Sequence, residues 1–254
     1  MLKQNLVEKN QMKPLNQSQS SFASNKKKEN LVKFNSIPMP KERGEDWRYT
    51  NIDKFNLDNF DLNGAKTKIL AAELSEDLID KGVILTDINT AFEKYPIARE
   101  YFLKSDKIKD FRDAENLKDF PANVRTDKDK FIALNASHFN NGVFLYVPKN
   151  VELEEPIRVN FNFDAQVSVL HNLVIVDSNS KVDVIEEYSN NEIQKEQLNS
   201  GVTEIFASSN SKINFYHINN WTKNAYNFAN IIGTAERDSA INFVSGCFGG
   251  KLNR

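Results

Sequence analysis

Residues with reactive side chains are few in this chain of 254 residues. It contains one Cys, Cys247, and three His: His138, His171 and His217. No two of the His have the spacing with which a helix presents two metal ligands on one face. A single Cys also excludes an internal disulfide and a four-thiolate zinc or iron–sulfur site within the chain. We therefore expect that the chain is not an enzyme and binds no metal or cofactor on its own.

Each of these residues also has a structural interpretation. A buried free Cys packs like a small hydrophobic side chain, and the alternative for Cys247 is a sulfur acceptor or one ligand of a site completed by another chain. His217 falls in a predicted strand, where a structural role is the favoured interpretation. The carboxylates of Glu186 and Glu187 are adjacent and point to opposite faces of a strand, so they cannot readily flank one bond as acid and base.

Two Trp side chains, Trp47 and Trp221, are candidates for protein interfaces. Trp47 lies in the segment 45–50, which combines two acids, Trp, Arg and Tyr within six residues. The favoured interpretation of this segment is a packing anchor with buried aromatic rings. The alternative is a recognition surface, because Trp, Tyr and Arg dominate interface hot spots.

Charge and hydropathy exclude several classes of protein. Lys and Arg number 33 and Asp and Glu 35, which argues against a protein that wraps nucleic acid. The chain has no apolar run of about 18 residues, so no membrane span is expected. Residues 1–30 lack the apolar block of a secretory signal and carry six Lys and two Glu. They are predicted to form a flexible polar tail, with a targeting peptide as the alternative, and the cytoplasm is the expected location.

Residues 31–140 have patterns typical of a mostly helical N-terminal domain. Apolar residues at spacings of three and four indicate helices, one ended by Gly82 and another disturbed by Pro96. The predicted elements are a helix from Leu70 to Ile79, a buried strand over 83–86, a helix beginning at Asn89 or Thr90, and a helix over 127–139.

Residues 141–254 change to short β-rich runs after the turn signal Asn141-Gly142. Several runs alternate apolar and polar residues, which is typical of half-buried strands. The predicted strands are 143–147, 157–163, 167–170 and 173–176.

An internal repeat indicates how these strands are arranged. The pattern at 180–184 recurs at 211–215 and 239–243, at offsets of 31 and 28 residues. A repeat of this length is typical of a solenoid, and the repeated units have no apolar pattern with helical spacing. The repeat therefore favours a β-solenoid over a β-sandwich whose hairpins resemble one another. Alternation places the first and third residues of each strand pattern inward and the middle residue outward. The residues predicted to stack inward are Val182, Val184, Ile213, Phe215, Ile241 and Phe243, and those predicted to face outward are Asp183, Asn214 and Asn242.

Several motifs in order along the chain resemble one protein family. The motifs are Pro40-Lys41 through Glu45–Thr50, Ala133–Asn135 followed by Gly142–Pro148, then Glu204, Asn219–Trp221, Tyr226–Phe228 and Gly249–Leu252. From about Ile37 onward, the chain is similar to the SufB/SufD family of iron–sulfur cluster assembly proteins. The single Cys and the helical N-terminal region look more like the SufD subunit. The position at which SufB relatives have a sulfur-accepting Cys is Ala235 here.

The resemblance implies a fold and a function. The fold is a right-handed parallel β-helix over residues 141–254, preceded by a helical domain over residues 31–140. The implied function is a non-catalytic scaffold subunit of the SUF system. It would work in a SufBCD complex with a SufB-like paralogue and a SufC-like ABC ATPase, where a transient iron–sulfur cluster forms at the subunit interface. Cys247, His217, Trp47 and Trp221 are the candidate interface or sulfur-related residues.

The resemblance also implies that the β-helix is incomplete at Arg254. The region that binds the ATPase would then follow Arg254, so we expect this chain not to bind the ATPase by itself. We also expect self-association through the end of the solenoid near Cys247 and Phe248. The alternative functions are a β-helix enzyme acting on polysaccharide and a plain protein-interaction module.

Overall fold

The computed structural model describes residues 12–15, 20–40, 47–62, 67–104 and 129–254. Short strands and helices alternate in the first half, and long strands make up the second half. In chain order they are β1 (Met12–Pro14), α1 (Ser21–Ser36), β2 (Lys68–Ala72), α2 (Glu76–Asp80), β3 (Ile84–Asp87), α3 (Ile88–Lys94), α4 (Pro96–Tyr101) and α5 (Lys130–His138). The long strands and the last short one are β4 (Val143–Val147), β5 (Ile157–Phe163), β6 (Val167–Val176), β7 (Lys181–Asn190), β8 (Gln197–Ala207), β9 (Lys212–Trp221), β10 (Ala225–Ala235), β11 (Ala240–Gly249) and β12 (Leu252–Asn253).

Two sheets enclose the interior of a parallel β-helix of about four turns. Sheet A has the strand order β1-β2-β5-β7-β9-β11, and sheet B has the order β12-β10-β8-β6-β4-β3. Strands from β4 onward pair in parallel within each sheet, because each coil adds one strand to each sheet. At the first coil, β2 pairs antiparallel with β5, and β3 pairs antiparallel with β4. The predicted solenoid is therefore confirmed, and the hairpin sandwich is excluded.

The repeated pattern has the predicted register. Val182 pairs with Ile213 and Val184 pairs with Phe215, while Ile213 and Phe215 pair in turn with Ile241 and Phe243. The residues on β7 and β9 are fully buried, whereas Phe243 on the edge strand β11 is 48% exposed. The middle residues form a ladder on the outer face. There, Asn214 Nδ2 donates to Asp183 Oδ1 at 2.7 Å, and Asn242 Nδ2 donates to Asn214 Oδ1 at 2.8 Å.

The corners between the sheets depend on residues that tolerate left-handed backbone. Asn150, Asn179, Asn210 and Asp238 have φ between 59° and 63°, a conformation that Asn and Asp adopt more readily than most residues. The Asn side chains also bond from coil to coil, with Asn179 Nδ2 donating to Asn150 Oδ1 at 2.9 Å and Asn210 Nδ2 donating to Asn179 Oδ1 at 2.8 Å. The same corner therefore recurs in successive coils, and its Asn side chains are hydrogen-bonded from one coil to the next.

Helices α1, α3, α4 and α5 form a layer against the outer face of sheet B. Every residue of β6 and β8 is buried, because one face lines the solenoid interior and the other contacts the helical layer. The apolar cluster between sheet B and this layer includes Phe92, Phe131 and Phe139 from the helices, and Val169 and Leu173 from β6.

Two predictions for the N-terminal half are wrong in part. The segment predicted as a helix from Leu70 is instead strand β2 as far as Ala72, since pairing with β5 buries Ile69 and Ala71. The helix there is short, begins after its cap Ser75, and ends before Gly82. Residues 31–140 are accordingly a mixture of helices and strands in their described parts.

The other elements of this half lie close to their predicted positions. Strand β3 overlaps the predicted strand over 83–86, and α5 lies within the predicted helix over 127–139. Helix α3 begins earlier than predicted, because Asp87 is its cap and accepts from the backbone N–H of Thr90 at 2.9 Å. Pro96 is the first residue of a separate helix, where its missing N–H costs no hydrogen bond.

The predicted flexible tail is also wrong where the structure describes it, because Met12–Pro14 form strand β1, which pairs with β2, and the last ten residues belong to a helix. Helix α1 begins at Ser21, and Ser20 Oγ accepts from the backbone N–H of Ala23 at 3.3 Å. Ala23 and Asn30 are buried, because α1 packs along α5. Residues 1–11 and 16–19 of the predicted tail lie outside the described residues. No helix in the described ranges is long and apolar enough to cross a membrane.

Candidate functional site

A column of polar side chains lies on the inner face of sheet A. The residues that continue the inward alternation of the repeat are Glu186 and Tyr188 on β7, His217 and Asn219 on β9, and Ser245 and Cys247 on β11. In register, Glu186 pairs with His217 and His217 with Ser245, while Tyr188 pairs with Asn219 and Asn219 with Cys247. We call these six residues the polar column. It brings together two of the residues that the sequence singled out, His217 and Cys247.

Glu186 is a buried carboxylate held by donors from both sheets. It accepts from Asn172 Nδ2 at 3.0 Å, from Tyr188 OH at 2.7 Å and from Thr203 Oγ1 at 3.3 Å. Burial raises the pKa of Tyr188 well above its ordinary value, and the neighbouring charge of Glu186 acts in the same direction. Tyr188 therefore stays protonated and donates to the carboxylate.

His217 lies next to this carboxylate but is not bonded to it. The side chain is buried, its ring centroid lies 4.8 Å from that of Tyr188, and its Nδ1 is 3.9 Å from Glu186 Oε2. Among the described residues, neither ring nitrogen has a hydrogen-bond partner. A buried polar group in this situation keeps its desolvation cost.

Cys247 is at the exposed end of the polar column. Asn219 Nδ2 lies 3.5 Å from its sulfur, and Ser245 Oγ lies 4.0 Å from it. The thiol is exposed on strand β11. Within the described part of the chain, no group of three or more His, Cys, Asp or Glu is arranged to hold a metal ion. The column thus presents one thiol and one imidazole on the same inner face.

Both Trp side chains are buried, and for Trp47 this agrees with the interpretation of its segment as a packing anchor. Trp47 lies 5.5 Å from Phe131 and 6.2 Å from Phe228 between ring centroids, so it joins helix α5 to strand β10. The guanidinium carbon of Arg254 lies 4.0 Å from the Trp47 ring. Trp221 is 4% exposed and stacks on Phe163 at 5.3 Å. Glu45 and Asp46, which the sequence grouped with Trp47, lie outside the described residues.

Sequence reasoning missed a second buried polar cluster, between sheet B and the helical layer. His171 Nε2 lies 3.0 Å from Glu204 Oε1, and His171 Nδ1 lies 2.9 Å from Asn135 Oδ1. Asn135 Nδ2 donates to the carbonyls of Leu170 at 2.7 Å and Ser200 at 3.0 Å. Because the Asn135 amide uses its N–H groups on these carbonyls, its oxygen faces the imidazole as an acceptor.

Both ring nitrogens of His171 thus lie within hydrogen-bond distance of an oxygen, Nδ1 of Asn135 Oδ1 and Nε2 of Glu204 Oε1. Both side chains of the His171–Glu204 pair are fully buried. Glu204 also accepts from the backbone N–H of Leu103 at 2.7 Å. The cluster therefore fastens α5 and the chain after α4 to the β-helix. Its members come from distant parts of the sequence, and the signal that could have indicated them was the presence of Asn135 and Glu204 in the motifs of the family resemblance.

Two sequence models of one family match adjacent parts of the chain. The model described as SufBD protein N-terminal region matches residues 68–159. The model described as SUF system FeS cluster assembly, SufBD core domain, matches residues 159–254. The chain belongs to the SufB/SufD family. Both polar clusters have most of their members within the core domain.

Individual relatives agree with this membership. The iron-sulfur cluster assembly protein SufD of Bacillus subtilis is 28% identical over 247 residues, covering 85% of this chain and 53% of the relative. The iron-sulfur cluster assembly protein SufB of the same organism is 26% identical over 190 residues, covering 74% of this chain and 37% of the relative. A SufBD family protein of Staphylococcus epidermidis is 26% identical with the same coverage. This SufB/SufD family chain thus spans about half the length of the curated relatives that it matches, or less.

Proposed function

We propose that this chain serves as a non-catalytic scaffold subunit in iron–sulfur cluster assembly by the SUF system, in the cytoplasm. The observation that carries the proposal is the succession of the two family models along one chain, over 68–159 and 159–254.

A SufD-type role is favoured over a SufB-type role. The chain has one Cys, and Ala235 occupies the position that our comparison of motifs matches to the sulfur-accepting Cys of SufB relatives. The Bacillus subtilis SufD match also covers a larger share of both chains than the SufB match. On this basis, the chain would support a cluster formed with another subunit, and Cys247 would contribute at most one sulfur ligand to it.

The proposed partners are a SufB-like paralogue and a SufC-like ABC ATPase. The support is family membership, because proteins named SufB and SufD both match this chain. A scaffold with a single Cys also needs ligands from a second chain, since iron–sulfur clusters usually take four.

Co-purification tests the partnership. The tagged chain is expressed with the SufB-like paralogue and the SufC-like ATPase of the same organism, and the purified material is separated by size-exclusion chromatography. The proposal predicts that the paralogue elutes with the tagged chain and that the ATPase elutes with the pair. Elution of the tagged chain without the paralogue would contradict the proposal. Co-expression with an unrelated β-helix protein is the matched control for non-specific association.

A further inference from the structure

A small, partly open cavity lies where the two sheets meet beside Trp221. It has a volume of about 10 Å³, and the residues around it include Trp221 from sheet A, and Ser168 and Asn199 from sheet B. Phe163 stacks on the Trp221 ring and closes one side with apolar surface. Because both sheets contribute, a molecule in this cavity would bridge the solenoid interior.

Two polar atoms of opposite hydrogen-bonding type belong to residues that line this cavity. Trp221 Nε1 can act only as a donor, and Asn199 Oδ1 is an acceptor. Both atoms are buried, and neither has a hydrogen-bond partner within the described residues. The amide nitrogen of Asn199 is already used, since it donates to Asn227 Oδ1 at 2.6 Å. One buried donor and one buried acceptor are therefore left without a hydrogen bond. Each lowers the stability of the fold unless another molecule or group bonds to it.

Ser168 offers a third polar group to the same cavity. Its hydroxyl lies 2.7 Å from Thr67 Oγ1 and, like any hydroxyl, has capacity for more than one hydrogen bond. Ser168 pairs with Asn199, and Asn199 pairs with Asn227, so these polar side chains form a ladder on the inner face of sheet B. Ser168 and Asn199 of this ladder line the cavity together with Trp221.

We propose that this cavity is a binding site for one structural water molecule. The water accepts from Trp221 Nε1, donates to Asn199 Oδ1 and uses its remaining capacity on Ser168 Oγ. A buried water needs on the order of 10–15 Å³ of such space and two to four polar partners, which matches this cavity for one molecule and excludes two. Trp221 then contributes to the fold through a bond between the sheets as well as through its stacked ring.

Nuclear magnetic resonance of the full chain tests the site without a ligand assay. With ¹⁵N-labelled Trp, the chain gives indole signals from its two Trp residues, Trp47 and Trp221. Trp221→Phe keeps an aromatic ring against Phe163 and identifies the Trp221 signal by its loss. If that variant does not fold, Trp47→Phe gives the same assignment by elimination. We expect the Trp221 indole proton of the unmodified chain to show direct dipolar transfer to a long-lived water.

A crystal structure of the unmodified chain, at a resolution that shows ordered water, gives an independent readout. We expect one water within hydrogen-bond distance of Trp221 Nε1 and Asn199 Oδ1. A cavity without density for water would overturn the proposal, and so would a direct bond from the indole N–H to a protein acceptor. Absence of dipolar transfer from water to the Trp221 indole proton would overturn it equally.

Discussion

His217 lies with its Nδ1 3.9 Å from the buried carboxylate oxygen of Glu186, and neither of its ring nitrogens has a hydrogen-bond partner within the described residues. Glu186 is already supplied by three other donors. The imidazole therefore adds a desolvation cost to the interior of the β-helix without a compensating bond. We therefore interpret His217 as a candidate for function rather than for stability, and it lies in the same column as Cys247.

Replacement of this imidazole tests that interpretation. For His217→Phe we expect the free energy of unfolding to stay the same or to rise by ~1 kcal/mol, since a buried polar group with unmet hydrogen bonds is removed. The measurement is equilibrium unfolding in urea. The matched control is Tyr188→Phe, which removes a donor to Glu186 and should lower the free energy of unfolding by ~1–3 kcal/mol. Equal losses in the two variants would show that His217 has a stabilising partner.

The buried contact between His171 and Glu204 predicts a large effect of changing the Glu204 side chain. Glu204→Gln replaces a carboxyl oxygen that lies 3.0 Å from His171 Nε2 and accepts from the backbone N–H of Leu103 at 2.7 Å. We expect a loss of ~1–3 kcal/mol in the free energy of unfolding, because buried polar groups lose their hydrogen-bond partner. Glu192→Gln removes the exposed partner of Lys223, 3.4 Å away, and should cost ~0–1 kcal/mol. Urea unfolding of the two variants gives the comparison. A loss at Glu204 as small as that at Glu192 would contradict the buried-pair assignment.

Gly142 predicts a steric effect at the first coil. A Cβ at this position would lie 1.8 Å from the backbone oxygen of His171, which is fixed in strand β6. We expect Gly142→Ala to lower the free energy of unfolding by ~3 kcal/mol or to prevent folding. Gly201→Ala is the control, because its Cβ would meet Asn199 Nδ2 at 3.7 Å, an ordinary contact. Melting temperatures that fall equally in the two variants would be inconsistent with this geometry.

His138 predicts a dependence of stability on pH. Burial lowers the pKa of His138 below its ordinary value of 6.5, and the positive charges of Lys27 and Lys130 act in the same direction. The unfolded chain therefore takes up the proton first as the pH falls. The contribution of His138 to stability is present above pH 6.5 and is lost as the pH falls below it. His138→Gln should reduce this dependence, measured as urea midpoints above and below pH 6.5, and an unchanged dependence would count against it.

The β-helix could be predicted from the sequence because its information is local and repeated. The stacked pairs Val182–Ile213 and Val184–Phe215 follow from alternation within each strand and from the similarity of the repeats. Strand β2 could not be predicted in the same way, since Leu70, Leu74 and Leu78 also have helical spacing. Its conformation depends on pairing with β5, about ninety residues later in the chain.

The candidate site, like the fold, could be predicted from the sequence only in part. His217 and Cys247 could be named as reactive residues, but their place on one inner face follows from the register between β9 and β11. The cluster of His171, Glu204 and Asn135 could not be assembled from sequence spacing, because its members lie on three different elements. Burial of Trp47, by contrast, agrees with the interpretation of residues 45–50 as a packing anchor.

Reconstitution with iron and sulfide tests the scaffold proposal most directly. The measurement is the visible absorption and electron paramagnetic resonance of an iron–sulfur cluster, in the chain alone and in its complex with the SufB-like paralogue. The proposal predicts a stoichiometric cluster in the complex and none in the isolated chain, which has a single thiol. A stoichiometric cluster on the isolated chain, or none in the complex, would contradict it.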